Sequence, residues 1–260
     1  MPEGDVVWNT AKRLHTALAG QVLTRSDFRV PRYATVSLNG QVVTEALSRG
    51  KHLLIRTDGG LTVHTHLKME GYWRVQPADG GRPPGPGYQL RLVLGNERWV
   101  AAGYLLGITE VLRTAREDQI VGHLGPDLLG PDWDPAAAVA RLSRAPGRAV
   151  GEALLDQRNL AGLGTVYMAE TLFLRGVDPS RAVGSVEDLP ALAEMGHRLL
   201  DANKERQGHV TTGDARPGRE LWVYGRAGKP CRRCGTVIRK GQGGPAGQER
   251  VRFWCPNCQS

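Results

Sequence analysis

The amino-acid sequence predicts an α+β fold in which one N-terminal helix and a two-sheet β-sandwich are followed by a helical domain and a terminal β-hairpin. Short β-rich runs separated by turn signals fill most of the first half, and helical periodicity dominates after residue 124. Two Cys-x-x-Cys pairs mark the C-terminal hairpin. At 260 residues the chain suits more than one domain, and we expect domains at 1–123, 124–220 and 221–260.

The first half begins with a helix, because apolar residues recur at helical spacing from Val7 to Leu18 and the stripe stops at Gly20. The runs that follow are short and β-rich, as expected for the strands of a sandwich. The segment 77–87 is rich in proline and glycine, which predicts a surface loop. The β-rich runs are 36–38, 42–47, 53–56, 61–67, 89–94 and 99–101, with turn signals at 39–40, 58–60 and 95–97.

The second half is helical. Asp134 and Pro135 form a cap and first-turn pair for a helix to about Ser143, and further helices are expected over 148–157, 163–173 and 189–204. A Gly-x-Gly turn at 162–164 follows a helix and not a strand, so it is not a dinucleotide fingerprint. A helix start of this kind can bind phosphate, and a plain corner between two helices is the alternative.

Four cysteines lie in the last thirty residues, as Cys231 with Cys234 and Cys255 with Cys258. Two such pairs complete the tetrahedral shell of one structural Zn²⁺, whereas disulfides or four unrelated thiols are the alternatives. No cysteine occurs elsewhere and the chain opens without a signal-peptide pattern, which favours zinc. The segment between the pairs is rich in arginine, and this favours contact with phosphate.

The charge of the chain points to a polyanionic partner. The formal net charge is +8 and the pI is near 9.6, which favours nucleic acid over a small acidic substrate. No apolar run approaches the length of a membrane span, and the N-terminus lacks the pattern of an export signal. We expect a soluble, cytoplasmic protein of bacterial type.

The N-terminus offers a nucleophile. Methionine is removed before a small residue such as Pro2, which would leave a secondary α-amine. An α-amino group titrates near pKa ~8 and can attack an aldehyde-like carbon to form an iminium. Glu3 is adjacent and can transfer a proton. An ordinary chain start is the alternative, and the two residues alone do not exclude it.

Four segments in order carry a resemblance that covers essentially the whole chain: 2–4 (Pro-Glu-Gly), 48–54 around Arg-Gly-Lys, 156–167 with the glycine turn, and 223–259 with the cysteine pairs. Together they resemble the formamidopyrimidine-DNA glycosylase/endonuclease VIII family of bifunctional base-excision repair enzymes. The resemblance implies a β-sandwich, a helix–two-turn–helix, a zinc β-hairpin finger, and a likeness to monomeric enzymes that act on damaged double-stranded DNA.

The resemblance also implies catalytic roles. The family's N-terminal proline nucleophile matches Pro2, and its acid/base carboxylate matches Glu3. Its β-hairpin lysine matches Lys51, which would also hold a phosphate. The arginine of the zinc finger matches Arg250, which would grip the phosphates flanking the lesion. The damaged base would be displaced at C1′ through a Schiff base, and β- and then δ-elimination would cleave the strand.

Further positions match the DNA-binding parts of the family. The loop 66–71 matches the loop that fills the void left by a flipped base, with Met69 as the wedge and Lys68 beside it; a core position is the alternative for Met69. The glycine turn at Gly164 matches the phosphate contact of the helix–two-turn–helix. Thr165 stands where the family usually has Asn.

Departures from the family pattern favour the endonuclease VIII-like branch, which prefers oxidised pyrimidines. The segment 102–107 lacks the Arg and Phe of the 8-oxoguanine branch, and 211–219 is too short for its base-capping loop. The carboxylate often found at position 6 is replaced by Val6, with Asp5 adjacent. An 8-oxoguanine/formamidopyrimidine glycosylase and a catalytically silent damaged-DNA-binding relative are the alternatives.

Overall fold

The structure is a computed structural model that describes residues 2–83, 85–245, 247 and 249–260. The predicted removal of Met1 therefore lies outside the described residues, as does Pro84 of the predicted surface loop. The chain divides into two compact units, 1–123 and 124–260. The zinc-finger domain predicted at 221–260 falls inside the second unit.

Helix α1 (Gly4–Leu18) opens the first unit and buries its apolar stripe. It ends before Gly20, whose φ of 73° is the left-handed conformation that glycine adopts without strain. A short helix, α2 (Asp118–Val121), closes the unit. Between them the described residues form eight strands: β1 (Arg25–Phe28), β2 (Val43–Arg49), β3 (His52–Thr57), β4 (Leu61–His66), β5 (Tyr72–Pro77), β6 (Leu90–Gly95), β7 (Trp99–Tyr104) and β8 (Ile108–Arg113).

The strands form two four-stranded antiparallel sheets, ordered β2-β3-β4-β8 and β1-β6-β7-β5. Alternate residues of both sheets, among them Leu53, Val63 and Leu92, enter one core with Leu14 of α1. Successive side chains of a strand point to opposite faces of its sheet. Glu45, His52 and Glu110 therefore lie on the face of the first sheet that points away from this core, together with the residues paired with them, and this face is polar.

The second unit is built on four helices: α3 (Pro135–Leu142), α4 (Val150–Leu155), α5 (Thr165–Arg175) and α6 (Leu189–Asn203). The carboxylate of Asp134 caps α3 by accepting from the amides of residues 136 and 137, and Asp188 caps α6 through Ala191. Helix α5 is the buried centre, with Tyr167 and Phe173 fully enclosed. It ends at Gly176, which has a φ of 70°.

The terminal hairpin pairs β9 (Arg239–Gly243) with β10 (Arg250–Trp254). A salt bridge from Arg252 on β10 to Glu152 on α4, at 2.6 Å, fastens the hairpin to the helices. The segment before the hairpin is fastened by Glu170 on α5, a fully buried carboxylate. It accepts from the amides of residues 222, 223 and 224 at 2.8, 2.9 and 2.8 Å and from the hydroxyl of Thr211. The hairpin and α5 therefore belong to one packed body.

The predicted α+β fold is confirmed, but three strands were missed and one predicted run is wrong. Strands β1, β5 and β8 are edge strands with polar or charged residues, so they carry a weak apolar pattern. The run 36–38 is not a strand; Leu38 is apolar because it fills the core from a loop, where its amide binds the hydroxyl of Ser26. The predicted surface loop at 77–87 contains short 3₁₀ turns.

Among the described residues, no helix is long and apolar enough to cross a bilayer.

Candidate functional site

Pro2 and Glu3 lie directly before α1, in the position where a helix presents its positive end. Pro2 is partly exposed, whereas Glu3 has a relative exposure of 0%. The backbone carbonyl of Glu3 accepts the amide of Val7 at 3.1 Å, which fixes Glu3 as the N-cap of the helix. A carboxylate is costly to bury, and its burial next to Pro2 marks a candidate functional group.

Lys51 lies in the two-residue turn that joins β2 to β3, between the paired residues Arg49 and His52. Gly50 has a φ of 57°, and the absence of a side chain lets it adopt this left-handed conformation. The turn therefore fixes the point at which the side chain of Lys51 leaves the backbone. Lys51 is half-buried.

Lys68 and Met69 lie in the tight turn between β4 and β5, which a hydrogen bond from the amide of Gly71 to the carbonyl of Leu67 closes at 2.9 Å. Met69 is 64% exposed, which excludes the core position that was its alternative. Lys68 is a non-glycine residue with a φ of 53°, and its amide donates to Nδ1 of His66 at 2.9 Å. A left-handed non-glycine residue is strained, and such strain concentrates at functional loops.

A second strained loop lies beside the first. Leu105 has a φ of 48°, and Gly107 lies so close to Lys68 that a Cβ added to Gly107 would come within 2.2 Å of the lysine Cγ. The aliphatic stem of Lys68 therefore lies across Gly107. The two loops, 67–71 and 105–107, therefore pack against each other, with residues 68–70 exposed.

The four cysteines converge in the second unit, with all four sulfur atoms within 4.8 Å of one another. The Sγ atoms of Cys231 and Cys258 are 4.0 Å apart, and those of Cys234 and Cys255 are 3.5 Å apart. Zn–S bonds of about 2.3 Å in a tetrahedron place the sulfur atoms about 3.8 Å apart. These residues therefore fit a zinc ion, and the cysteines are free rather than joined in disulfides.

Arg250, at the start of β10, lines an open cleft of about 260 Å³ together with Arg148 and Arg158. Asp156 at its base accepts from Arg158 at 2.7 Å and from Arg148 at 2.8 Å. Hydrogen bonds from Arg158 and then Arg148 hold the pKa of Asp156 well below its usual range, against the opposing effect of burial. The two carboxylates of the cleft, Asp156 and Glu152, are both paired with arginines, so the three lining guanidinium groups favour an anionic ligand.

The glycine turn lies beside the same cleft, because Gln157 belongs to both. Its amide oxygen accepts from the amide of Gly162 at 3.0 Å, and its amide nitrogen donates to the carbonyl of Leu163 at 2.9 Å. Helix α5 then begins at Thr165, after Gly164, which has no side chain to cap it. The hydroxyl of Thr165 is buried and has no hydrogen-bond partner within the described ranges.

The structure groups the sequence-predicted residues by unit. Pro2, Glu3 and Lys51 lie in the first unit with Lys68 and Met69, whereas the cysteines, Arg250 and the start of α5 lie in the second. Sequence reasoning missed Arg148, Asp156 and Arg158 as a group, because their pairing depends on how the chain returns after α4. It also missed His52 and His64, which the hairpin register at 58–60 could have identified.

Comparison with known proteins identifies similar chains along the whole length. Residues 1–102 match the family described as formamidopyrimidine-DNA glycosylase N-terminal domain, and residues 124–203 match its H2TH domain. The "Probable endonuclease 8 2" of Streptomyces coelicolor is 54% identical over 100% of this chain and 94% of its own. The "DNA-(apurinic or apyrimidinic site) lyase Nei2" of Mycolicibacterium smegmatis is 50% identical over 100% and 99%.

Solved structures share the fold. A formamidopyrimidine-DNA glycosylase of Lactococcus lactis, crystallised with DNA containing an abasic site, superposes with a TM-score of 0.82 over 99% of both chains at 23% identity.

Proposed function

Because the chain belongs to the formamidopyrimidine-DNA glycosylase/endonuclease VIII family, in its endonuclease VIII-like branch, we propose that it is a DNA glycosylase and abasic-site lyase that uses Pro2 as its nucleophile. The observation that carries the proposal is the pair of Pro2 and the fully buried Glu3 at the start of α1. A protein that only binds DNA needs neither a free secondary amine nor an enclosed carboxylate next to it.

The chemistry needs a chain that begins at Pro2. The lone pair of the proline nitrogen forms a bond to C1′ as the bond from C1′ to the base breaks, and the base leaves with a proton. Glu3 is the proposed group that moves protons between the sugar and the base. The nitrogen then loses its proton and the ring oxygen gains one, so the sugar ring opens to an iminium, which acidifies the C2′ proton. Loss of that proton breaks the bond from C3′ to its phosphate oxygen, and a second elimination breaks the bond from C5′ to its phosphate oxygen.

Each unit offers its own proposed contacts for the DNA backbone. Lys51, at its fixed turn, is the proposed phosphate contact of the first unit. In the second unit, Arg250 and the start of α5 at Gly164 and Thr165 are the proposed contacts, supported by the arginine-lined cleft and the orphaned hydroxyl of Thr165. We propose that Met69, exposed on its strained turn, fills the stack after base flipping, with Lys68 nearby.

We propose that Cys231, Cys234, Cys255 and Cys258 are the ligands of one zinc ion. The sulfur geometry fits four-coordination with no open position, so the ion would stabilise the hairpin and take no part in the reaction. Chelation is expected to release about one equivalent of zinc and to abolish DNA binding, because metal binding and folding are coupled in such small modules. Metal analysis that finds no zinc in a DNA-binding preparation would exclude this site.

Oxidised pyrimidines are the proposed substrates. The segment 102–107 ends in the strained turn at Leu105 rather than in an Arg-Phe pair. The segment 211–219 is a closed loop, since the amide of Thr211 donates to the carbonyl of Glu220 at 2.8 Å, and it offers little chain to cap a purine. Single-turnover rates on duplexes with thymine glycol or with 8-oxoguanine opposite cytosine test the preference, and faster removal of 8-oxoguanine would assign the chain to the purine lesions.

Borohydride trapping tests the nucleophile. Reduction of the iminium during reaction with abasic-site DNA is expected to join the chain to DNA through Pro2, and intact mass must show that Met1 is absent. Pro2→Gly should weaken trapping. Glu3→Gln should slow base release more than cleavage at a preformed abasic site, because that sugar needs no base departure. An adduct on an internal lysine such as Lys51 would refute Pro2, and DNA binding without trapping would favour the silent relative.

We further propose that the protein acts as a monomer in the bacterial cytoplasm and that its partner is damaged double-stranded DNA; the net charge of +8 supports the DNA partner.

A further inference from the structure

Four imidazoles cluster on the polar face of the sheet β2-β3-β4-β8. The register places His52 opposite His66 and, two residues along, His64 opposite Glu110. The ring of His52 stacks on that of His64 with centroids 5.1 Å apart and meets that of His66 edge-on at 5.1 Å. His123 lies edge-on to His52 at 6.4 Å. The cluster begins at the residue that follows Lys51.

The hydrogen bonds of the cluster fix where each proton lies. The carboxylate of Glu110 can only accept, so His64 carries a proton on Nδ1, 3.3 Å away. The Nε2 atom of neutral His64 must then accept from Nδ1 of His52, at 2.9 Å. This leaves the lone pair of His52 on Nε2. His66 has the opposite arrangement, because its Nδ1 accepts the amide of Lys68 and its proton lies on Nε2.

Because of these tautomers, His52 can accept a proton without losing a hydrogen bond, whereas His64 and His66 cannot. A proton at Nε2 of His52 leaves its bond to His64 intact, and the positive charge is linked through His64 to Glu110. A proton on His66 would have to bind Nδ1, which would break the bond from Lys68.

The free protein holds His52 neutral. Burial, and then the charges of His64, His66, His123 and Lys68, lower the pKa of His52 to about 3. Burial and Lys68 lower the pKa of His66 to about 4.

Most of the charged groups around His52 are basic. Arg49 lies opposite on β2, Lys51 precedes it, and Lys68 follows β4. The acidic groups that act on the cluster are Glu110 on β8 and Glu117, both through His64.

We propose that His52 is a proton-linked contact for the DNA backbone, which takes up one proton at Nε2 when a phosphodiester binds beside Lys51. This inference rests on the proposed function, in which Lys51 holds a phosphate. An anion about 4 Å from the ring favours the imidazolium by about a thousandfold at an intermediate dielectric. The phosphate thus reverses the electrostatic balance that keeps His52 neutral, and His64 and Glu110 stabilise the charged form.

Calorimetry measures the proton directly. The full-length zinc-loaded protein is titrated at pH 5.5 with a duplex that carries a tetrahydrofuran abasic-site analogue, in buffers of different ionisation enthalpy. The wild type is expected to take up about half to one proton more per complex than His52→Gln, and its affinity should fall more steeply between pH 5.5 and 6.5. Glu110→Gln should reduce the uptake, because it weakens the charged form. His15→Gln, at an exposed position of α1 outside the cluster, is the matched control and should keep it.

Equal proton uptake by the wild type and His52→Gln would overturn the proposal. So would unchanged uptake in Glu110→Gln, a substitution on a half-exposed strand position that tests the relay even if His52→Gln fails to fold. The same preparations are assayed for borohydride trapping at pH 7.5. Trapping without His52-dependent proton uptake refutes this inference alone, whereas loss of both binding and trapping in the wild type refutes the proposed function.

Discussion

Replacing Glu170 by Gln should detach the segment that leads to the zinc hairpin. One carboxylate oxygen accepts from the amides of Val223 and Tyr224, and the other accepts from the amide of Trp222 and the hydroxyl of Thr211. A Gln amide keeps only one oxygen, so its NH₂ group would face the Trp222 amide. The Thr211 hydroxyl can rotate to accept, but the Trp222 amide cannot.

The cost follows from that single orphaned donor. A buried donor left without an acceptor costs about 1–3 kcal/mol, and loss of charge-assisted bonds adds to it while relief of charge burial offsets part. We expect Glu170→Gln to lower the free energy of unfolding by about 2 kcal/mol, which corresponds to a fall in Tm of about 5–10 °C.

Urea unfolding followed by tryptophan fluorescence measures this loss, since Trp222 stacks on Phe173 with ring centroids 5.4 Å apart. Zinc release to a chromogenic chelator should also become faster. Glu187→Gln, at an exposed carboxylate in the same unit, is the matched control and should leave both unchanged. A Glu170→Gln protein within about 0.5 kcal/mol of wild type, with normal zinc retention, would refute the role assigned to this carboxylate.

Three further predictions follow from single residues. Lys68→Gly should raise the free energy of unfolding by about 0.5–1 kcal/mol, because glycine adopts the left-handed conformation without strain, and it should lower the affinity for DNA. An unchanged free energy of unfolding in urea would contradict the strain assigned to Lys68. Asp156→Asn should flatten the pH dependence of stability below about pH 4. The pKa of Asp156 is lower in the folded than in the unfolded protein, so its ionised carboxylate stabilises the fold above the unfolded-state pKa, and this stabilisation is lost as the pH falls. An acid-unfolding curve identical to that of the wild type would exclude this. Thr165→Val should weaken DNA binding, because the proposed contact between its hydroxyl and a phosphate is lost. Arg250→Ala should weaken DNA binding further and make the affinity less dependent on salt. Equal or tighter DNA binding by Thr165→Val would exclude a phosphate contact at Thr165.

The sequence predicted the elements whose pattern is local. Helix α1 and helix α6 have apolar stripes at helical spacing, and the cysteine pairs specify their own convergence because a metal site depends on spacing. Strand β1, by contrast, has four residues of which only Phe28 is buried, so its pairing with β6 supplies the signal that its sequence lacks. Edge strands are specified by their partners rather than by their own hydrophobicity.

The candidate site also has residues that a local sequence pattern predicts and residues that it does not. Pro2, Glu3 and Lys51 could be proposed from short motifs, whereas the arginine-lined cleft could not. Asp156 and Arg148 are brought together across α4, and in a chain with 34 basic residues nothing marks these particular arginines. Their role depends on charge pairing in three dimensions, which a single sequence does not contain.

The attachment of the hairpin through Glu170 and Arg252 has a consequence for how the protein would move along DNA. Arg250 and the start of α5, the proposed phosphate contacts of the second unit, belong to one packed body, so the distance between them is fixed. Two flexible contacts would let go of a phosphate chain one after the other, and each could rebind before its neighbour left. Two rigidly spaced contacts must fit the same stretch of backbone together and leave it together. Release is then a single event, and the DNA that such a body retains is DNA whose phosphates already match that spacing.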